Sequence, residues 1–265
     1  MIGKPSISVV CPTFNSAEFI LQTVRSILGQ TVPPSEIIFS DDGSLDNTST
    51  LIEELTADSV IPVSILHNPH RGPGAARNAG IRAATGEWIA FLDSDDLWQS
   101  NKIERVSLAI KEYSTMNFFC HDQYHRFLNG QEEPLRLAKR YQDCTLKKQL
   151  FRACPFATSA VVCKKELFFK HGLFDERLLS AQDFELWLRL CPFLQVKFID
   201  EVLGWYVDRS GNISSSRRFR HFCNVMQALK KNKKNTKPIW YFIGRLHHTA
   251  VYLKNQLWHC LKKFL

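Results

Sequence analysis

WIAFLDSDDLW, residues 88–98, is an apolar run that closes with three carboxylates in four positions, Asp93, Asp95 and Asp96. A short continuous apolar stretch of this kind reads as a strand buried on both faces. Like charges gathered at its end repel one another, so the pattern predicts a positive partner between them. Working outward, SISVVCP (6–12), SEIIFSDD (35–42) and IPVSILHN (61–68) read as further strands. Ile20, Val24, Ile27 and Leu28 recur at helical spacing between the first two. Asp46 is placed to cap a helix carrying Leu51, Ile52 and Leu55, and GAARNAGIRAA (74–84) reads as a third helix. Strands alternating with helices indicate βαβ units and a mainly parallel sheet. Ligands of such sheets bind at the carboxyl ends of the strands. Those ends carry Thr13 and Asn15, then Asp41 and Asp42, then the acidic cluster, so the polar residues share one edge.

The 265 residues, 45% hydrophobic and 23% charged, have the composition of an ordinary globular protein rather than a disordered or fibrous one. Eight cysteines without a CxxC pair favour reduced thiols in a cytosolic compartment over disulfides or zinc. The N-terminal residues lead straight into a strand, without the apolar region of a signal peptide. No run of ~18 apolar residues predicts a spanning helix. The net charge of +8 conceals an asymmetry: thirteen Lys or Arg and no Asp or Glu follow Asp208, leaving 21 basic and 26 acidic residues in the first 208. A basic tail on a mildly acidic body needs an anionic partner or serves as a solvated face.

Past residue 117 the pattern loosens. NFFCHDQYHRF and ATSAVVCKKELF read as short strands and loops, and LLSAQDFELWLRLC as a helix with Asp183 in its first turn. Its Phe184, Leu186, Trp187, Leu188 and Leu190 are expected to pack, which favours a core role for Trp187 over stacking on an acceptor. His121 and His125 have the spacing of a helical metal pair, but the segment reads as extended and lacks a third ligand. KKNKKNTK (230–237) reads as a linker. Beyond it Ile239, Phe242, Leu246, Ala250, Leu253, Leu257, Leu261 and Phe264 form a stripe at steps of three or four, an amphipathic helix flanked by lysines.

Each polar constellation has a chemical and a plain structural reading. Mg²⁺ or Mn²⁺ is held by one or two carboxylates plus substrate phosphates. Asp93 and Asp95, two apart in an extended segment, would point the same way, while Asp96 turns aside or caps the next helix. The plain alternative is an acidic turn. In SDDGSLDNT a carboxylate can accept the N3–H of a pyrimidine, yet the same residues suit a type I turn and a helix cap. Gly72-x-Gly74 after a strand mimics a dinucleotide loop, but Arg77 stands at the third glycine position and suits a phosphate clamp better.

Together, VVCPTFN, IIFSDDGSLDNT, RGPGAARNAGI, WIAFLDSDDLW and FDERLLSAQDFELWLRL resemble the motif series of the family 2, GT-A-fold glycosyltransferases over roughly residues 5–210. The resemblance implies an α/β, Rossmann-like sheet flanked by helices, with the amphipathic helix as a C-terminal extension. It implies a transferase domain over 1–212 and a basic helical tail over 213–265. Thr13 and Asp41 or Asp42 would hold the nucleotide base, with Pro12, Asn15 and Ser94 in the same nucleotide-sugar set. Gly74 and Arg77 would lie along the nucleotide, Asp93 would meet the ribose, Asp95 would bind Mn²⁺ or Mg²⁺, and Asp183 would be the catalytic base. Two departures stand out: Gln182 replaces the usual Glu before that Asp, and Arg209 is the one candidate for the basic residue near the closing loop.

The implied activity is transfer from a nucleotide-sugar, a UDP-sugar by family habit, to a glycan or lipid-linked acceptor. A single base and in-line attack give inversion. The tail would then pack on the body or lie on an anionic membrane surface, placing the protein in the cytoplasm, peripheral to the inner face of the membrane. Nucleic acid is not an expected partner, since no stacking platform accompanies the lysines. The rival readings are a nicotinamide-dependent oxidoreductase using the Gly72–Gly74 loop and a nucleic-acid-binding protein using the tail. Neither explains the acidic strand ends.

Overall fold

A computed structural model describes residues 3–137, 146, 150–151, 154, 156–209 and 218–261. The first half follows the expected alternation: β1 (Ile7–Thr13), α1 (Ile20–Leu28), β2 (Glu36–Asp41), α2 (Thr48–Thr56), β3 (Val63–His67), α3 (Pro73–Ala83) and β4 (Trp88–Phe91). Then come β5 (Leu97–Trp98), α4 (Lys102–Glu112), β6 (Phe118–Arg126), β7 (Glu132–Leu135), β8 (Val161–Lys164), α5 (Glu166–His171), α6 (Gln182–Leu190), β9 (Val196–Val207), α7 (Arg218–Lys231) and α8 (Pro238–Leu261).

All nine strands among the described residues join one sheet in the order β3-β2-β1-β4-β8-β6-β9-β5, with β7 paired to β6. The first four are parallel. From β8 onward the sheet is mixed: β8 runs antiparallel to β4 and β6, whereas β6 and β9 are parallel. The register sets Thr13 opposite Asp41 and Asp41 opposite His67, so three strand ends lie level. The short span after Phe91 carries the acidic cluster from the middle of the sheet to β5 at its edge, where Leu97 pairs with Trp205 of β9.

Alternation along the strands builds two cores, one on each face. Val10, Ile89 and Phe91 join Phe118, Phe174 and Trp187 on one side, while Val9, Cys11 and Ala90 join Ile20, Val24 and Phe119 on the other. Burying each large aliphatic or aromatic side chain contributes ~1.5–3 kcal/mol before chain entropy is counted. Helix α3 lies close to the sheet because Gly80 faces Val10: a Cβ there would stand 2.5 Å from Val10 Cγ1. Its arrival angle is fixed by Gly72, whose φ of +95° favours glycine, followed by Pro73 in the first turn.

Three local expectations change. Residues 93–96 form a turn closed by the Asp96 N–H on the Asp93 carbonyl (3.0 Å), so Asp93 and Asp95 are not spaced along an extended strand. Asp96 caps no helix; Asn101 precedes α4. Asp46 lies one residue before the N-cap of α2, yet it accepts the Thr48 N–H (3.1 Å) and the Ala17 N–H (3.1 Å).

The end of the chain is also tied in. Val225, Ala228 and Leu229 of α7 belong to the core that contains Trp187. Asn224 Nδ2 donates to the Ser180 hydroxyl (3.0 Å), and Asn235 Nδ2 to the Leu188 carbonyl (3.2 Å), running α7 along α6. KKNKKNTK spans the end of α7 and a 3₁₀ turn at Lys233–Asn235. The expected boundary at 212/213 lies outside the described residues, as do the side chains of Leu257, Leu261 and Phe264.

Candidate functional site

The level ends of β1 and β2 form one wall. Thr13 Oγ1 donates to Asp41 Oδ1 (2.9 Å), and the Ser44 N–H donates to Asp41 Oδ2 (2.8 Å). Asp42 accepts the N–H groups of Arg71 (2.9 Å) and Gly72 (2.8 Å), and His70 Nδ1 lies 2.9 Å from it. Both carboxylates are buried, and both brace the loops that follow β2 and β3. Pro12 sits within β1 opposite Ser40. Asn15, at φ +47°, spends its side-chain oxygen on the Leu45 N–H (2.8 Å). Between them Phe14, 39% exposed, stacks on His70 at 4.2 Å, an aromatic rim that the motif reading missed. The sequence signal was the exposed-side Phe in PTFN.

The acidic turn carries its own counter-charges. Arg77, buried on α3, donates from Nη2 to Asp93 Oδ1 (2.5 Å) and lies over the Phe174 ring (5.6 Å). Burial works against that charge, but Asp93, with Asp183 and Asp95 beyond it, holds the guanidinium above its ordinary value. Its Nε and Nη1 are buried without a hydrogen-bond partner among the described residues. Arg209, just past β9, pairs through Nε with Asp95 Oδ2. Burial pushes the Asp95 carboxyl up; Arg209 opposes that rise and Asp93 adds to it. The positive partner expected at this cluster is therefore present as two arginines of the chain itself.

The remaining members of the turn face inward. Asp96 accepts the Ser159 hydroxyl (2.5 Å) and the Val207 N–H (3.0 Å). Burial, then Asp95 and Asp93, pushes its carboxyl well above the usual range. Ser94 shares a hydrogen bond with the Ser16 hydroxyl (2.7 Å), so its side chain braces the loop after β1. Ser159 also receives the Asp93 N–H (3.0 Å), and its carbonyl takes Trp98 Nε1 (2.9 Å) and Lys102 Nζ (3.1 Å). Ser159 ties the turn to α4, and nothing in TSAVV marked it out.

Beside the start of α3 stands the start of α6. Ala181 holds a left-handed φ of +57°, a strained setting for a residue with a Cβ. It delivers Asp183, whose Oδ1 accepts the Phe184 N–H (2.8 Å) and whose Oδ2 is 3.5 Å from Thr158 Oγ1. Gln182 is buried, with Oε1 unpartnered among the described residues. Gly74 faces this side: a Cβ on it would meet Gln182 Cγ at 3.6 Å, so the starts of α3 and α6 touch. Trp187 is fully buried, edge-on to Phe118 at 5.3 Å, a core residue as its helical position suggested. His121 and His125 lie on strand β6; His125 Nε2 faces Asp208 (3.1 Å).

No group of three or more His, Cys, Asp or Glu suited to a metal occurs among the described residues. Asp93 and Asp95 are two carboxylates, the number that suits Mg²⁺ or Mn²⁺ when substrate phosphates complete the shell. The donor set fits such an ion.

The family model described as Glycosyl transferase family 2 matches residues 8–168. An uncharacterised glycosyltransferase of Rickettsia conorii is 33% identical over 205 residues, covering 77% of this chain and 33% of that protein. The chain thus spans about a third of the length of that relative. The Escherichia coli protein named UDP-Glc:alpha-D-GlcNAc-diphosphoundecaprenol beta-1,3-glucosyltransferase WfgD is 31% identical over 186 residues, 69% of each protein. Among solved structures, the mannosyltransferase PcManGT of Pyrobaculum calidifontis in complex with GDP-Man and Mn²⁺ superposes with a TM-score of 0.69 at 19% identity, covering 95% of this chain and 70% of that one. That likeness shows a shared fold, the GT-A arrangement of a mixed sheet flanked by helices. The family match, together with relatives of this extent, settles the kinship: the chain belongs to glycosyl transferase family 2.

Proposed function

We propose that this chain transfers a hexosyl group, with inversion, from a nucleotide-sugar to a hydroxyl of a glycan or lipid-linked acceptor. The observation that carries the reading is the grouping at one end of α3 and α6: Asp183, on the first turn of α6, lies near enough to Arg77 to help hold its charge, and Arg77 pairs with Asp93 of the acidic turn, whose Asp95 pairs with Arg209. An acceptor hydroxyl is a weak nucleophile at neutral pH, and a carboxylate within hydrogen-bond reach takes its proton as the new bond forms. Asp183 is that base. The diphosphate leaving group gains negative charge as its bond to the anomeric carbon breaks. Arg77 meets that charge with the two guanidinium nitrogens it does not spend inside the protein. Asp95, with Asp93, would hold Mn²⁺ or Mg²⁺, which neutralises the same charge when bound. One base and one departing group on opposite sides of the sugar give inversion.

A UDP-sugar as donor and a diphosphate-linked lipid as acceptor follow the name of the E. coli relative. The divalent ion follows the P. calidifontis complex, in which Mn²⁺ accompanies GDP-Man. We place the base-binding wall at Pro12, Thr13, Asn15, Asp41 and Asp42, with Phe14 as its rim. Residues 1–212 form the transferase part and 213–265 a helical extension working at the inner face of the cytoplasmic membrane. Asp183→Asn tests the core of the reading. Its UDP-sugar affinity by calorimetry should stay within about threefold of the parent while transfer falls ~10²–10⁴-fold. Unchanged turnover would remove the assignment.

A further inference from the structure

The stripe along α8 points the wrong way for a helix that merely completes a fold. Ile239, Phe242, Leu246 and Leu253 are 56%, 60%, 71% and 53% exposed. Ala250 continues the same exposed face. The opposite face is already spent on the body. Gly244 is buried so close to the Phe151 backbone that a Cβ would stand 2.2 Å from its carbonyl oxygen. Tyr241 packs on the core, the His248 ring lies 5.4 Å from Phe184, and Tyr252 stacks on Phe222 at 4.6 Å. Scattered exposed apolar side chains are ordinary, but four large ones on one face of a helix form a patch that marks an interaction surface.

Charge says what covers it. Arg245 and Lys254 flank the stripe on α8, and Lys230, Lys233, Lys234 and Lys237 cluster just before it, while Lys231 is paired with Asp175 and Glu185 of the body. No acidic residue lies anywhere beyond Asp208. A nucleic acid would use the lysines and leave the stripe in water. An anionic bilayer uses both: the apolar face enters the boundary between headgroups and acyl chains, and each nearby cation gains ~1 kcal/mol from the surface potential. No helix among the described residues is long and apolar enough to cross a membrane, so α8 lies on the surface rather than through it.

We infer that α8 docks the protein flat on an anionic lipid bilayer through Ile239, Phe242, Leu246 and Leu253. Because the inner face of the same helix touches Phe184, the neighbour of Asp183, docking brings the base to within about one helix diameter, ~10 Å, of the lipid surface. That consequence rests on the proposed role of Asp183; the docking itself does not.

Flotation of the full chain with vesicles of phosphatidylcholine alone and of an equal mixture with phosphatidylglycerol tests it. The parent should bind the mixed vesicles, release with added salt, and bind neutral vesicles far less. Phe242→Ser with Leu246→Ser removes two exposed side chains and should cut binding to mixed vesicles about tenfold or more, with an unchanged unfolding transition. Lys233→Glu with Lys234→Glu should weaken binding to mixed vesicles only. Asp183→Asn should float like the parent, so loss of transfer and loss of docking are read separately. Failure of the parent to bind mixed vesicles overturns the inference. Equal binding by the Phe242/Leu246 variant overturns it too, as does a dimer of the parent that this variant disperses, which would make a second copy the occupant.

Discussion

Arg77 holds a full charge inside the protein and spends only one of its three nitrogens on Asp93. Buried donors without protein partners cost free energy, and under the proposed function the anionic oxygens of a diphosphate would satisfy them. Arg77→Met keeps most of the side-chain volume and removes the fork. It should weaken UDP-sugar binding by about tenfold or more, roughly 1.4 kcal/mol, in a calorimetric titration with Mn²⁺ present. At this scale the acidic turn was legible because three carboxylates within four positions at the end of a buried strand repel one another, while Asp183 was singled out by its motif resemblance. The counter-charges of the turn were not legible. Arg209 reaches Asp95 from the far end of β9, a contact that no local spacing encodes. Nor does a side chain's identity disclose the contacts it makes within the protein: Ser94 and Asn15, candidates for the nucleotide, also bond Ser16 and Leu45.

Among the elements, β1 to β4 and α1 to α3 were plain from periodicity, since two-sided burial writes continuous apolar runs and amphipathic helices between them. Helix α7 escaped notice because basic and polar residues interrupt its apolar positions, although Val225, Ala228 and Leu229 reach the core. For α8 the period was visible but its direction was not; the face that packs is built of Tyr241, Gly244 and His248, a mixture no hydropathy stripe reveals. That packed face is sensitive to acid. Burial, with His247 and His221 adding to it, lowers His248 to about 4, and burial lowers His221 as well, with Asp183 opposing. An unfolded histidine titrates near ~6.5. Between that value and about 4 the unfolded chain therefore binds more protons than the folded one, so stability falls as pH drops through this window. Thermal melts should show the midpoint falling between about pH 7.5 and about pH 5, and His248→Phe should make that fall smaller.

For the molecule as a whole, the match to the family model ends at residue 168, yet Asp183, Val207 and Arg209 come later. Strand β9 pairs with both β6 and the edge strand β5, which follows directly on the acidic turn. A chain ending at residue 195 should lose its cooperative unfolding transition in urea, and its amides at 93–98 should exchange with solvent freely in deuterium exchange. Pairing between distant stretches forms late, because loop closure must precede its reward. During synthesis on a ribosome, Asp95 thus waits for its salt-bridge partner, 114 positions later in the sequence (209 − 95). The acidic turn therefore acquires its second counter-charge only once Arg209 has been added, and a shorter nascent chain carries Asp95 unpaired by it.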